Sequence, residues 1–388
     1  MKVTPGDGCY VHTYFDVCPF SPSQRYLAAT RLPYQDRTAT LGDTADVCVI
    51  DLEEQTIETV YATRCWGYQT GANLNWGASD RYLYTNDIVA GRAGCVRIDL
   101  ETGESKAFAG PMYHLAADGS AAIGFPLELL DATQEGYGAP SRDPANPKRL
   151  PPGASKSEGV WITDLETNGK RLLVSLADVA AHVAEPAPIG GGTYYFWHSK
   201  FNRQGTRVMQ VLRCMLPGGH GGYNAMVFTF DRRGRDIRYL PTDPVWGAAL
   251  DHPNWCPDGA HVLMNLAPKG ATRRLFTQFR YDGTGMKVLT DRTSGGGHPS
   301  IEPHRKYVIT DAFPDKGRAV ALRLVDVTAG KEETVCRLST IDRNAAANPV
   351  FRLDGHPVWS RDYRRVCFQA APEGVRQLFI ADLAKLVG

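Results

Sequence analysis

The chain has 388 residues, with 43 Lys+Arg against 42 Asp+Glu. A formal net charge of +1, with no long Lys/Arg run, excludes an extended nucleic-acid surface. Charged residues make up 22% and hydrophobic ones 43%. That balance excludes long disorder, and no stretch approaches the roughly 18 apolar residues of a membrane span.

The N-terminal residues Met1–Gly8 contain no apolar core of a secretory signal. Nine cysteines, an odd number, are scattered without a Cys-x-x-Cys pair. This usage predicts reduced, mostly buried thiols in a cytoplasmic protein and gives no support to a cysteine zinc cluster. Gly 39 and Pro 25 call for many turns and hence many short strands.

One unit recurs along the chain: an apolar entry, a polar turn, then a β-rich run. Its copies are Cys18–Ala28, Leu74–Tyr84, His114–Ala122, His198–Val208, His252–Val262, His298–Val308 and His356–Val366. The tight turn falls at Gln24, Asp80, Gly119, Gly205, Gly259, Arg305 and Tyr363, in steps of 39 to 86 residues. A second strand with an acidic end follows each copy. These are Val47–Leu52, Cys95–Leu100, Val160–Leu165, Ala225–Asp231, Leu275–Asp282, Val320–Asp326 and Leu378–Leu383. Seven such pairs predict an all-β fold, a seven-bladed β-propeller with four strands per blade, forming one domain over 1–388. After Leu383 no sequence is left for an outer strand of blade seven, so residues before Asp16 are expected to close it. Gln134–Ser157, rich in Pro, Gly and Ser, is an insertion in blade three: a functional loop or a plain surface excursion. Only Ser175–Ala184 and the tail from Asp382 look helical.

The phase of the repeat carries the functional signal. His198, His252, His298 and His356 each stand seven residues before their turn, in blades four to seven. Val17, Asn73 and Met112 occupy that phase in the earlier blades. Equivalent positions are related by rotation about the channel, so the four imidazoles are expected on one side of one ring. A lone histidine there could simply bond backbone; four together point to metal or proton chemistry. Asp251 precedes His252, and Asp354 lies two residues before His356, on the same side of an extended chain. His298, reached through Gly295–Gly297, would complete a metal set of His298, Asp354 and His356. Mixed nitrogen and oxygen ligation suits manganese, zinc or iron, and calcium less well.

Arg213, Arg352, Asn224 and Tyr195 are candidate substrate-binding groups near the same end, with Trp197 beside them. The glycine-rich loop around His220 could bring that residue and Tyr223 over the mouth, or serve only as a turn. Lys200 and Arg207 read as ordinary solvated charges. Trp66 and Trp76 read as packed core rather than as stacking platforms for a sugar.

With His298, then Asp354–Pro357 and Glu373–Asp382, the C-terminal half resembles oligogalacturonate lyases. Propellers of the TolB type share the His-Pro-x-Trp-Ser-x-Asp-Gly unit. The resemblance covers blades four to seven. It implies a cytoplasmic seven-bladed propeller that cleaves short uronate oligosaccharides by β-elimination with manganese. It implies that His298 and His356 hold the metal and that His252 is an active-site histidine. Asp354 stands where the family has a histidine, Phe351 where it has a glutamine ligand, and Asn224 near its basic residue. These departures point to a related uronate-lyase branch. Elimination needs neutralisation of the uronate carboxylate, a base for the C5 proton and an acid for the leaving oxygen. His198 or His252 would be the base, with Tyr223 or His220 as alternative base or acid. Competing readings are another carbohydrate enzyme, such as a glycoside hydrolase, and a non-catalytic binding propeller.

Overall fold

The structure is a computed structural model that describes residues 1–140, 149–182, 191–217, 225–240, 246–268, 273–314, 318–341 and 348–388. Seven antiparallel sheets follow one another in chain order, six of four strands and the last of three. Their first strands include Cys9–Val11, Asn75–Trp76, His114–Leu115, Thr193–Phe201, Trp246–Trp255, Ser300–Ile301 and Val358–Trp359. Each sheet then meanders outward through nearest-neighbour pairing. This is a seven-bladed β-propeller. Among the described residues, short α-helices lie at Leu127–Leu130, Leu176–Ala180 and Ala384–Val387, with a 3-10 turn at Pro349–Phe351. The last two α-helices fall where the sequence looked helical; the first, just ahead of the blade-three insertion, gave no signal.

The repeat is explained by backbone conformation. At the turn phase, Gln24, Gly119, Gly205, Gly259, Arg305 and Tyr363 all have positive φ. That left-handed residue closes the hairpin from the first strand to the second. Four residues before the turn position, a tryptophan in blades two, five and seven ties neighbouring blades together. The indole N–H of Trp76 donates to the carbonyl of Pro19, that of Trp255 to Lys200, and that of Trp359 to Ser300. Each bond satisfies a polar edge that burial would otherwise strand. Trp66 and Trp76 are buried, as core residues should be.

Blade seven is completed by the N-terminal segment. Lys2 pairs antiparallel with Phe379. The Val3 amide donates to the Leu378 carbonyl, and the Ile380 amide to that of Met1. Tyr10, Phe20 and Leu27 of blade one share a core with Val358, Cys367 and Leu378 of blade seven. Deleting residues 1–4 should therefore reopen the edge of blade seven and destabilise the fold. Met1, Val3 and Thr4 make five hydrogen bonds to blade seven, and at about 0.5 kcal/mol each these set the loss at about 2–3 kcal/mol or more. Urea unfolding of the truncated chain measures it; an unchanged midpoint contradicts the closure role.

Between Val11 and Phe20 the first strand of blade one leaves the sheet and returns at the Phe20–Leu27 bridge. The excursion puts His12, Tyr14, Phe15 and Asp16 into the channel, where all four side chains are buried. It plugs the centre of the propeller. No helix among the described residues is long and apolar enough to cross a membrane. All nine cysteines are free thiols, six of them buried.

Candidate functional site

The four phased histidines meet around this plug. Ring centroids of His252 and His298 lie 4.0 Å apart, and those of His298 and His356 lie 4.4 Å apart. Tyr14 sits 4.3 Å from His356, 5.6 Å from His298 and 5.2 Å from His198. Phe15 lies below them, within 5.2 Å of His298 and 5.7 Å of His252.

Histidine suits this phase partly for backbone reasons. His198, His252 and His356 have φ of +61°, +50° and +43°, and Asn73 of blade two has +55°. His198 and His252 sit at register shifts of their strands. Each bulge turns its side chain toward the channel. Asparagine and histidine are among the residues that tolerate the left-handed region. In blade six Gly297 (φ +65°) takes that conformation instead. A Cβ there would run into Asp311, so glycine is required.

Every ring is anchored through Nδ1. His198 meets Asp16 Oδ2 at 3.1 Å and the Tyr113 hydroxyl at 3.1 Å. His252 meets the Gly297 carbonyl at 2.7 Å, His298 meets Asp311 at 3.0 Å, and His356 meets the Gln369 amide at 3.0 Å. A carbonyl or carboxylate partner makes Nδ1 the N–H donor and leaves the lone pair on Nε2. The Gln369 amide can face His356 either way. As a donor it would place the proton on Nε2. Its Oε1 is buried without a partner. Reversed, that oxygen accepts the Nδ1–H and frees Nε2 for a cation.

Asp311 organises the site and had no sequence signal beyond a polar residue late in a strand. It accepts from the amides of His298 (2.8 Å), Gly355 (2.9 Å) and His356 (3.2 Å), joining blades six and seven. His298, Asp354 and His356 bring ligand atoms within 4.8 Å of one another, and all three are buried. His356 Nε2 is buried with no partner. The residues fit a divalent cation: two imidazole nitrogens and a carboxylate oxygen, each imidazole backed by a second group.

Electrostatics agree with a cationic occupant. Burial opposes charge on His298, yet Asp311, Asp354 and Asp251 outweigh it and hold its pKa above the usual value. Burial and the charge of His298 push His252 down to about 4 and His356 well below its usual value. Burial also pushes Asp311 up, but His298 prevails and brings it to about 2. Buried carboxylates thus surround a point where positive charge is favoured.

The candidate substrate groups gather above. Arg352 donates from Nε to Asp354 (3.1 Å) and from Nη2 to the Tyr137 hydroxyl (2.6 Å). Arg213 and Tyr195 both donate to Gln134, at 2.8 and 3.0 Å. Gln134 and Tyr137 belong to the blade-three insertion, which therefore packs on this end of the channel. Trp197 stacks edge-on against Tyr137 at 4.6 Å. His220, Tyr223 and Asn224 lie outside the described residues. Lys200 and Arg207 are placed differently from the sequence reading: Arg207, with its side chain 11% exposed, pairs with Asp236 at 2.8 Å. Lys200 is no solvated charge: it is buried at 1% exposure, its ammonium 2.7 Å from Asp16. Tyr14, with no repeat phase to mark it, stands at the centre of the histidine group.

No family model matches the chain, and no curated protein matches it. Solved structures do. An oligogalacturonate lyase in complex with manganese aligns with a TM-score of 0.68 over 98% of this chain and 92% of that one, at 16% identity. The chain has the fold of the oligogalacturonate lyases. The lyase of Vibrio parahaemolyticus gives a TM-score of 0.66 with the same coverages and 16% identity. The β-propeller domain of the Trilobed protease from Pyrococcus furiosus gives 0.51 over 92% of each chain, at 12% identity.

Proposed function

We propose that the protein is a cytoplasmic lyase that cleaves a uronate-containing oligosaccharide by metal-assisted β-elimination. The observation that carries this reading is the adjacency of two units. His298, Asp354 and His356 form a site fitted to a divalent cation, manganese first and zinc or calcium after it. His252, anchored through Nδ1 and with its side chain 23% exposed, abuts that site. The likeness to a lyase solved with manganese supports the choice of metal. Free thiols at all nine cysteines support a reducing compartment.

A bound divalent cation supplies a Lewis acid that neutralises the uronate carboxylate and acidifies the C5 proton. His298 and His356 would hold it through Nε2 and Asp354 through its carboxylate. Arg352, beside Asp354, adds a fixed positive charge for the same carboxylate. His252 takes the C5 proton on Nε2, the nitrogen its Gly297 bond leaves bare. His198 is anchored in the same tautomer, but its anchor Asp16 is shared with Lys200 and Tyr113, and it is assigned to the wall behind Tyr14. The Tyr14 ring packs against His356, His298 and His198, and its phenol assists departure of the C4 oxygen. Arg213 and Tyr195, braced by Gln134, face the sugar. Asp16 and Asp311 are committed to holding histidines and Asp354 to Arg352. This leaves no paired acid and nucleophile of a glycoside hydrolase among these carboxylates.

The test is the ultraviolet absorbance of newly formed unsaturated uronate over a panel of uronate oligosaccharides, with manganese and after chelation. Product on at least one substrate, abolished by chelation, is expected. Silence on the whole panel overturns the proposal. His298→Ala should lose bound metal, measured by elemental analysis after dialysis with manganese; wild-type metal content in the variant rejects the ligand set.

A further inference from the structure

We propose that the turn-side half of the channel is a second small-molecule site, selective for a compact oxyanion carried on a sugar-sized body. A cavity of about 480 Å³ opens there, lined by Lys200, Arg203, Arg361 and His114 among others. That volume falls in the range of pockets that enclose small ligands. The inference stands apart from the lyase reading.

Phe15 is the partition between this cavity and the histidine group. Its ring touches His252 and His298 on one side, and the Lys200 ammonium lies 4.9 Å from its centroid. The cavity is cationic. Lys200 at its inner end is held by Asp16 (2.7 Å) and the Pro253 carbonyl (2.7 Å), two acceptors for three N–H donors. Asp16 is already shared with His198 and Tyr113. Arg203 has no hydrogen-bond or ion-pair partner among the described residues. Arg361 donates Nε to the carbonyls of Phe20 and Ser21 and has no carboxylate partner among them. Their forked N–H groups match the two oxygens of a carboxylate or the three of a phosphate. His114 Nδ1 is buried and unpartnered, a polar atom awaiting a hydroxyl. Phe201 and Tyr363 supply apolar walls for a ring.

The experiment titrates D-glucuronate, and separately inorganic phosphate, into the full chain at low salt by calorimetry. Wild type, His298→Ala and the double variant Arg203→Ala/Arg361→Ala are compared. Both arginines lie at the exposed rim, so the double variant should fold. At least one probe should bind wild type and His298→Ala alike, and the double variant should weaken it by about tenfold or more. Glucuronate alone marks a sugar acid as the ligand; phosphate as well marks a general oxyanion site. Binding lost in His298→Ala but kept in the double variant places the ligand among the histidines and overturns the proposal. So does failure of both probes to bind wild type at millimolar concentration, which leaves a channel filled by solvent alone.

Discussion

His252→Asn is expected to lower turnover on the cleaved uronate substrate by about 10²–10⁴-fold, the usual contribution of a general base. Asparagine is the informative replacement. His252 has φ +50°, where alanine would add backbone strain of about 1–2 kcal/mol. Asn73 holds the same phase of blade two at φ +55°, so the propeller already accepts asparagine at that phase in that backbone conformation. Loss of turnover with an unchanged unfolding midpoint and unchanged metal content would isolate the imidazole. The KM should change little if His252 meets the substrate chiefly in the transition state. A variant that keeps wild-type turnover removes His252 from the reaction and transfers the base to another group.

The same bulge shows why the histidine phase was legible while its meaning was only half so. A fixed distance from a tight turn survives in sequence, and seven turns survive even though the steps vary. The reason for the residue type lies in φ, which sequence spacing does not display. Asn73 answers only the backbone demand and donates to the carbonyls of Met112 and Tyr113. His252 and His356 answer that demand and also present a second ring nitrogen. One-sidedness in sequence therefore marked the blades whose imidazoles meet in the channel, for two superposed reasons.

The plug was illegible because it breaks the repeat. Tyr14, Phe15 and Asp16 lie in an excursion of blade one with no counterpart in other blades, so no phase pointed to them. Asp311 and Gln369 were hidden differently. Each is a polar residue in a second strand of otherwise apolar character, and only the packed neighbour shows whether it faces a histidine. Lys200 misled because a lysine one strand position from a turn reads as a solvated charge, whereas its partner Asp16 is 184 positions away.

Asp16→Asn should be the most destabilising single substitution in the channel, at about 3–5 kcal/mol, the cost of breaking a buried ion pair from one side. The Asp16 side chain is fully buried, and one oxygen receives Lys200 at 2.7 Å, His198 at 3.1 Å and Tyr113 at 3.2 Å. Burial pushes its pKa up, but Lys200 and then His198 outweigh burial and hold it well below the usual carboxylate range. The sign follows. The unfolded chain protonates this group more readily, so its stabilisation is complete above the unfolded pKa of about 4 and falls as pH drops below it. Wild type should lose stability along that acid limb, and Asp16→Asn should lose less there, having forfeited the contribution already at neutral pH. In the variant the Lys200 ammonium keeps the Pro253 carbonyl and the face of Phe15 but faces a neutral amide in place of its counter-ion. Adding Lys200→Met removes that stranded charge and should return much of the lost stability, because no buried charge is then left without its counter-ion. Urea midpoints across the four chains of this cycle measure the coupling. If Asp16→Asn unfolds at the wild-type midpoint, or the double variant is no more stable than the single, the ion pair does not hold the plug in place. Its failure would leave Phe15 and its aromatic contacts as what keeps the two halves of the channel apart.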